Sequence, residues 1–162
     1  LTKESVRYWL DEGSMVVPKE TLDLFAALRK HSIDVYICSA SLEVIVEAMA
    51  CDPEFGLNFS EDHVFGIRLA DTQWVGGAFD PTYTPTFLEG KVACIERFMR
   101  PAHNGAAPIL VSGDSGGDVA MLSTYSDALR LVYDCNRTGS IAEFISSDQP
   151  RCVVQPRTQY SK

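Results

Sequence analysis

The sequence has no long apolar run and a shortage of positive charge, and these two absences exclude several classes of protein. None of its apolar stretches approaches the roughly 18 residues that a membrane-spanning helix needs. The sequence contains 14 Lys and Arg residues and 22 Asp and Glu residues, which gives a formal net charge of -8. Nonspecific binding to nucleic acid or to an anionic membrane is driven by Lys and Arg. We therefore expect neither partner, and an anionic substrate must meet a local positive centre.

Paired cysteines are also missing. The five cysteines are odd in number and scattered, without the spacing of a zinc site. We predict reduced, buried thiols and hence a cytoplasmic protein. The chain opens Leu1-Thr2-Lys3-Glu4, with neither a methionine nor the basic and apolar regions of a signal peptide, so we expect a start inside a longer protein. The cysteines are Cys38, Cys51, Cys94, Cys135 and Cys152.

The apolar pattern predicts strands that alternate with helices. A hydrophobic fraction of 46% over 162 residues is sufficient for one folded core. We predict helices at 3–10, 19–30, 42–50, 90 to about 100, 118–122 and 140–145, with Pro101 ending the fourth and Ser140 capping the last. We predict strands at 35–38, 109–111, 128–133 and 152–154, and a hairpin of 64–69 with 73–79 turning near 71–72. This alternation indicates an α/β fold with a mostly parallel sheet, whose ligands bind beyond the carboxyl ends of the strands.

The segment 109–122, Ile-Leu-Val-Ser-Gly-Asp-Ser-Gly-Gly-Asp-Val-Ala-Met-Leu, is the most informative part of the chain. Its Gly-Asp-Ser-Gly-Gly string is the setting of the nucleophilic serine in trypsin-like proteases. That chemistry needs a β-barrel and a suitably placed histidine and aspartate. Alternating helices and strands contradict a barrel, and the three histidines have no catalytic signature around them. We therefore favour the carboxylates of this turn over its serine.

Two aspartates in this turn have the properties of a cation site. Gly113 lets the backbone turn sharply after a strand, and Asp114 then presents the hard oxygen ligand that magnesium prefers. Asp118 begins a helix, where backbone amides stabilise a carboxylate. Each aspartate also has a purely structural interpretation, Asp114 as a turn residue and Asp118 as a helix cap.

Two more polar residues stand at the ends of predicted elements. Ser39 ends the strand 35–38, where its hydroxyl can donate to a phosphoryl oxygen or cap the next helix. Lys91 follows Gly90 at the start of a helix, where a cation opposes the helix dipole. A bound anion would offset that cost, although a solvated lysine is an equally simple interpretation.

The order of these segments resembles the second, third and fourth motifs of the haloacid dehalogenase-like (HAD) family, and most of all its phosphoserine-phosphatase-like branch. The motifs are a serine after a strand, Gly-Lys, and Gly-Asp-x-x-x-Asp. The resemblance implies a Rossmann-like three-layer sandwich, with 1–15 as a remnant of a helical cap and 16–162 as the core domain.

The resemblance also implies hydrolysis of a small phosphomonoester through an aspartyl-phosphate with Mg²⁺. It makes Asp114 a metal ligand. It makes Asp118 a catalytic residue whose carboxylate either binds the metal directly or holds the groups that bind it. Lys91 and Ser39 become catalytic residues that also bind substrate, and Ala40 and Gly117 become substrate-binding residues. The substrate itself stays open among phosphoserine, phosphocholine and other small phosphomonoesters.

One motif of this family is absent. No Asp-x-Asp sequence, which would carry the nucleophile, occurs in the 162 residues. We expect that an amino-terminal portion with the central strand is missing and that the chain alone has little or no turnover. Another segment, a partner chain or a rearrangement would then fill the sheet between the strands ending at Ser39 and Ser112. The alternatives are a noncatalytic remnant that binds phosphate, metal or protein, and a flavodoxin- or receiver-like domain.

Overall fold

The computed structural model describes residues 2–70, 78–147 and 149–156. They form two compact units, one extending to Tyr83 and the other beginning at Thr84. Both units combine helices with parallel strands, which confirms the predicted α/β class. No helix in these ranges has the length and apolar character required to cross a membrane.

The described residues of the first unit form three α-helices and a two-stranded parallel sheet. Ile37 lies opposite Val64 and Cys38 opposite Phe65 in that sheet. The three helices agree with the predicted ranges to within one residue at each end. The elements are α1 Thr2–Asp11, α2 Lys19–Lys30, β1 Ile37–Leu42, α3 Glu43–Ala50 and β2 Val64–Ile67, with 3-10 turns at Pro53–Phe55 and Glu61–His63.

The core of the first unit lies between its helices and its sheet. The Phe25 ring of α2 meets the Phe59 ring edge to face at 5.3 Å. Helix α1 packs against α3, and its Arg7 donates to both carboxylate oxygens of Glu54 at 2.8 Å. Helix α1 therefore belongs to the same compact unit as α3, and a boundary between cap and core after residue 15 stays a prediction. The buried core residues are Val46, Ala50, Leu57, Phe59 and Val64.

Strand β1 differs from the prediction at both ends. It begins at Ile37 rather than at residue 35, and it continues to Leu42 through the segment expected to form a turn. The register against β2 shifts between Cys38 and Leu42. Within this irregular stretch the Ser39 hydroxyl accepts a hydrogen bond from the Ser41 amide at 3.1 Å. The local turn is therefore formed inside the strand, and Ser39 lies in β1 instead of after it.

The predicted hairpin is described only at its base. Strand β2 pairs in parallel with β1, and only the residues after it pair in an antiparallel manner. The Ala70 amide donates to the Ala78 carbonyl at 2.9 Å, and the Asp80 amide donates to the Arg68 carbonyl at 3.0 Å. The expected turn at 71–72, Trp74 and most of the expected strand 73–79 lie outside the described residues.

The second unit is built on a three-stranded parallel sheet in the order β3-β4-β5. Leu110 lies opposite Leu129, and Leu131 opposite Val153. Helix α6 contacts α4, β3 and α7. The elements are α4 Glu89–Cys94, α5 Arg100–Ala102, β3 Leu110–Gly113, α6 Val119–Thr124, β4 Leu129–Asp134, α7 Ser140–Ser146 and β5 Cys152–Pro156.

Several predicted boundaries in the second unit differ from the structure, among them the roles given to Pro101 and Ser140. Pro101 does not end its helix, because a π-helical turn at Ile95–Met99 connects α4 to α5 and the helix continues to Ala102. Pro101 stands two residues after the end of this π-helical turn and one residue before the helix ends at Ala102. Ser140 is the first helical residue of α7 rather than its cap. Gly139 takes the cap position with φ at 80°, a backbone conformation that glycine adopts without a steric penalty.

The described strands form two sheets, β1-β2 and β3-β4-β5, and among these residues β1 and β3, the strands on either side of the expected gap, do not pair with each other. Within each of the two sheets, the strands pair in the order in which they follow one another along the chain. In the described part of the chain β3 is an edge strand, paired with β4 alone. A strand missing from the centre of a larger sheet stays a prediction.

Candidate active site

The segment after β3 folds into a turn that is closed by the carboxylate of Asp118. The chain extends through Ser115, forms a 3-10 turn at Gly116–Asp118, and enters α6. Asp118 Oδ2 accepts hydrogen bonds from the Asp114 amide at 3.1 Å, the Ser115 amide at 3.0 Å and Ser115 Oγ at 2.8 Å. The amides that stabilise this carboxylate therefore belong to the turn before the helix.

Gly113 permits this turn because Asp118 lies directly against its Cα atom. A Cβ atom on Gly113 would stand 2.3 Å from Asp118 Cβ and 2.6 Å from Cγ. Gly117 is less restricted, since a Cβ there would meet Ser115 Oγ at an ordinary 3.5 Å. The turn thus needs glycine at position 113 for close packing, whereas position 117 has space for a side chain.

Lys91 forms a buried ion pair with the other oxygen of the same carboxylate. Its Nζ donates to Asp118 Oδ1 at 2.6 Å, and the two side chains are only 10% and 5% exposed. Burial alone would raise the pKa of Asp118, but the charge and hydrogen bond of Lys91, with the hydrogen bonds from Ser115 and the Asp114 amide, lower it below its usual value. Asp118 is therefore ionised, and both of its oxygens are engaged.

A tight turn places Lys91 in the first turn of α4. The Gly90 amide donates to the Phe87 carbonyl at 2.9 Å. Leu88 has φ 52° and ψ -128°, a conformation typical of glycine at the first central position of a type II′ turn. A Cβ on Gly90 would lie 1.8 Å from the Pro85 carbonyl oxygen, so the glycine allows this close approach.

Asp114 is the more accessible carboxylate of the turn, and it pairs with Arg137. An Arg137 Nη atom donates to Asp114 Oδ2 at 2.9 Å, with the side chains 54% and 41% exposed respectively. Arg137 lies in the loop between β4 and α7 and was not recognised from the sequence. The sequence contained a signal for its position, because a loop that follows a predicted parallel strand begins at the same edge of the sheet as Asp114.

The structure assembles part of the predicted site. The second unit contains Lys91, Asp114, Gly117 and Asp118. The carboxylate of Asp118 accepts hydrogen bonds from both the Lys91 side chain and the Asp114 amide. Ser39 and the exposed Ala40 lie in the first unit. The predicted roles of all these residues in binding or catalysis stay predictions.

The donor set fits a magnesium ion at one carboxylate. In the ranges that the structure describes, no group of three or more His, Cys, Asp or Glu side chains could hold a metal ion. Magnesium often retains several waters and is bound through one or two carboxylates. Asp114, partly exposed and held by one ion pair, can provide such an oxygen. Asp118 supports the backbone of Asp114 from behind, because its own oxygens are occupied.

Ser115 does not have the surroundings of a nucleophile. Its hydroxyl donates to Asp118, whose pKa is lowered by Lys91 and the turn, so this carboxylate is a weak proton acceptor. Asp114 is therefore the carboxylate of this turn that is accessible to a ligand, and Arg137 is paired with it.

Comparisons with known proteins agree with this architecture. A solved structure described as a conserved functionally unknown protein from Anaerococcus prevotii DSM 20548 has a TM-score of 0.71 and 33% sequence identity, covering 79% of this chain and 34% of that one. A phosphoserine phosphohydrolase-like protein from Francisella tularensis subsp. tularensis SCHU S4 has a TM-score of 0.63 at 12% identity, covering 92% and 66% of the two chains. The second similarity concerns the fold alone.

A curated relative and a family model match the sequence. The phosphorylcholine phosphatase of Pseudomonas aeruginosa is 29% identical over 117 residues, an alignment that covers 57% of this chain and 33% of that protein. The chain thus spans about a third of the length of this relative. The model of the haloacid dehalogenase-like hydrolases matches residues 2–123. With most of its length matched, including Lys91 and the turn from Gly113 to Asp118, this chain belongs to the haloacid dehalogenase-like hydrolase family.

Proposed function

We propose that the protein containing this chain is a magnesium-dependent phosphatase of small phosphomonoesters. The observation that carries the proposal is the Lys91–Asp118 ion pair, which fixes the turn that presents Asp114. The name of a similar protein, a phosphorylcholine phosphatase, supports a substrate with a small polar head group.

The reaction consumes one water and converts a phosphomonoester into an alcohol and inorganic phosphate. Asp114 would hold the magnesium ion, which when bound would screen the phosphate charge and align it. Lys91 would supply fixed positive charge, and Asp118 would keep its ammonium group in place. Ser39 would donate its hydroxyl to a phosphoryl oxygen, while Ala40 and Gly117 would line the substrate.

The nucleophile is proposed to be an aspartate, with an aspartyl-phosphate as the intermediate. Because the 162 residues contain no Asp-x-Asp, we assign this step to none of them and propose little or no turnover by the chain alone. The edge position of β3 in the described part of the chain supports a further proposal, that another strand pairs with it. This strand would come from another segment of the protein or another chain.

Phosphate release from p-nitrophenyl phosphate, phosphorylcholine and phosphoserine in the presence of Mg²⁺ tests this function. We expect activity in a longer form of the protein and a loss of at least about 100-fold in Lys91→Met and Asp114→Asn. Arg151→Gln, at the other end of the sheet from Asp114, is the control and should retain activity. Rapid hydrolysis by the 162 residues alone would contradict the proposed inactivity, and unchanged activity in Asp114→Asn would contradict the metal role.

A noncatalytic binding module is the second candidate, and it is favoured by the same missing Asp-x-Asp sequence. Such a module would bind inorganic phosphate in a ³¹P NMR titration with Mg²⁺ and release none from esters in any longer form. Turnover in a longer form would exclude this candidate.

A further inference from the structure

Arg137, from the loop between β4 and α7, forms a contact with this turn that was not expected from the sequence, and it lies on the more exposed carboxylate, that of Asp114. We propose that Arg137 competes with a divalent cation for Asp114, so that cation binding releases the guanidinium group. This inference rests on the proposed function, because the cation is the magnesium ion assigned there to Asp114.

The two ion pairs of the turn differ in how easily a cation can replace their positive side chain. The Lys91–Asp118 pair is buried, and three further hydrogen bonds hold its carboxylate. In the Arg137–Asp114 pair both side chains are about half exposed, and one guanidinium nitrogen lies 2.9 Å from Asp114 Oδ2. Exposed ion pairs contribute little net stability, because water and salt compete with them. A cation can therefore displace Arg137 far more readily than it can displace Lys91.

The charge of Arg137 opposes the binding of a cation at Asp114. A guanidinium group already neutralises this carboxylate, and a divalent cation placed on it would lie within a few ångströms of that positive charge. Asp118 cannot share the cation as the structure stands, since Lys91 holds Oδ1 and the turn holds Oδ2. A cation at Asp114 would therefore either bind weakly, because Arg137 repels it, or displace Arg137 from the carboxylate.

The backbone around Arg137 confines this movement to the side chain. The Asn136 amide donates to Asp134 Oδ1 at 2.9 Å, and Asn136 is left-handed with φ 54°. Gly139 follows with φ 80° and leads into α7. These features define the path of the loop, so that release of Arg137 requires rotation of an exposed side chain and no change in the sheet.

The test is an NMR titration of the full chain with Mg²⁺, which follows the Asp114 amide signal and the Arg137 Nε–H signal. We expect Mg²⁺ to shift both signals, and the Arg137 signal to approach its position in Asp114→Asn. Arg137→Gln should bind Mg²⁺ about five- to tenfold more tightly, since it removes a repelling charge. Arg137→Lys, which keeps the charge, should remain near the wild-type affinity.

A charge-matched control separates this local effect from the general change in net charge. Arg151 immediately precedes β5, whereas Asp114 follows β3, and because these strands are parallel the two residues lie at opposite ends of the sheet. Arg151→Gln should leave the Mg²⁺ affinity within about twofold of wild type.

Two results would overturn the proposal, and they differ in what they mean for function. A shift of the Asp114 signal with no shift of Arg137, or an unchanged affinity in Arg137→Gln, would refute the competition while leaving the magnesium site intact. If Mg²⁺ affects Asp114 in neither wild type nor Arg137→Gln, both the competition and the proposed magnesium role of Asp114 are wrong.

Discussion

Asp118 is a buried carboxylate that remains charged because four donors from the turn and from Lys91 surround it. Buried charges of this kind are tolerated only when they are paired and hydrogen-bonded. The pair therefore connects local stability to the geometry of the site, since the donors that stabilise Asp118 are the same groups that shape the turn at Asp114.

Replacing Lys91 by methionine should leave the Asp118 charge buried without its partner. We expect a loss of roughly 3–5 kcal/mol in the free energy of unfolding at neutral pH. Denaturant titration measures this loss. Lys3→Met, which removes the more exposed bridges to Asp52 and Glu54, is the control and should have a much smaller effect. Equal losses in the two variants would show that the Lys91 pair has no special role.

The same pair predicts a pH dependence with a definite sign. Since the folded pKa of Asp118 is lowered, its stabilising contribution is complete above the unfolded value of about 3.9 and is lost as pH falls through the folded value. The difference in unfolding free energy between wild type and Lys91→Met should therefore be largest near pH 7 and should shrink below about pH 4. A difference that grows on acidification would contradict the direction of the shift.

Gly113 and Gly117 offer a matched pair of substitutions in one turn. Gly113→Ala places a Cβ within 2.3 Å of Asp118 Cβ, whereas Gly117→Ala meets nothing closer than 3.5 Å. We expect the first to destabilise the protein by about 1–3 kcal/mol through overpacking, and the second to have little effect. Thermal unfolding of both variants measures the contrast. Similar melting temperatures would mean that the turn can move to accept the extra atom.

At the scale of elements, the start of α4 is strained in order to place Lys91. Leu88 occupies a backbone conformation that suits glycine, at a position where its side chain is 45% exposed. Such conformations cost of order 1–3 kcal/mol in a residue with a side chain. The strain lies three residues before Lys91, and the close approach of Gly90 to Pro85 keeps the turn in place.

Comparing alanine and glycine at position 88 isolates this strain. Both substitutions remove the leucine side chain, but only glycine relieves the left-handed backbone. We expect Leu88→Gly to be more stable than Leu88→Ala by about 1 kcal/mol, the reverse of the usual order for these two residues. Chemical denaturation of the two variants decides the matter, and a more stable alanine variant would refute the strain.

The helices were predictable where apolar spacing and a boundary residue agreed. Helix α2 has the predicted bounds because Leu22 and Phe25 repeat at helical spacing after Pro18. Strand β1 was misplaced because the Ser39 hydroxyl binds a nearby amide inside the strand, a local competition that periodicity does not register. The helix through Pro101 was shortened in the prediction because a π-helical turn has no sequence signature of its own.

The candidate site, like the fold, was predictable from the sequence in part. The turn from Gly113 to Asp118 and the importance of Lys91 followed from motif order, and the structure joins them through the bond at 2.6 Å. The Arg137–Asp114 contact did not follow, because it joins residues 23 positions apart through a loop without a motif. Contacts of this kind depend on the register of parallel strands, which a single sequence does not specify.

At the scale of the whole molecule, the second compact unit is continuous in sequence and contains both ion pairs of the site. Its helix α6 contacts α4, β3 and α7, so its core forms among its own elements. We expect residues 84–162, expressed alone, to fold and to retain the lowered pKa of Asp118. A dispersed amide NMR spectrum with an acid titration of Asp118 checks this. A spectrum without dispersion would mean that the unit depends on the rest of the chain.

The two ion pairs have a consequence for which ligands this edge of the sheet accepts. Two positive and two negative side chains face each other there, so that their formal charges cancel: Lys91, Arg137, Asp114 and Asp118. A divalent cation that displaces Arg137 would leave Lys91, Asp114, Asp118 and the cation with a formal charge of +1, which attracts an anion, whereas a phosphate dianion alone would bring the four side chains to -2. Binding of either should therefore strengthen binding of the other, and the preferred ligand is a matched salt rather than a single ion.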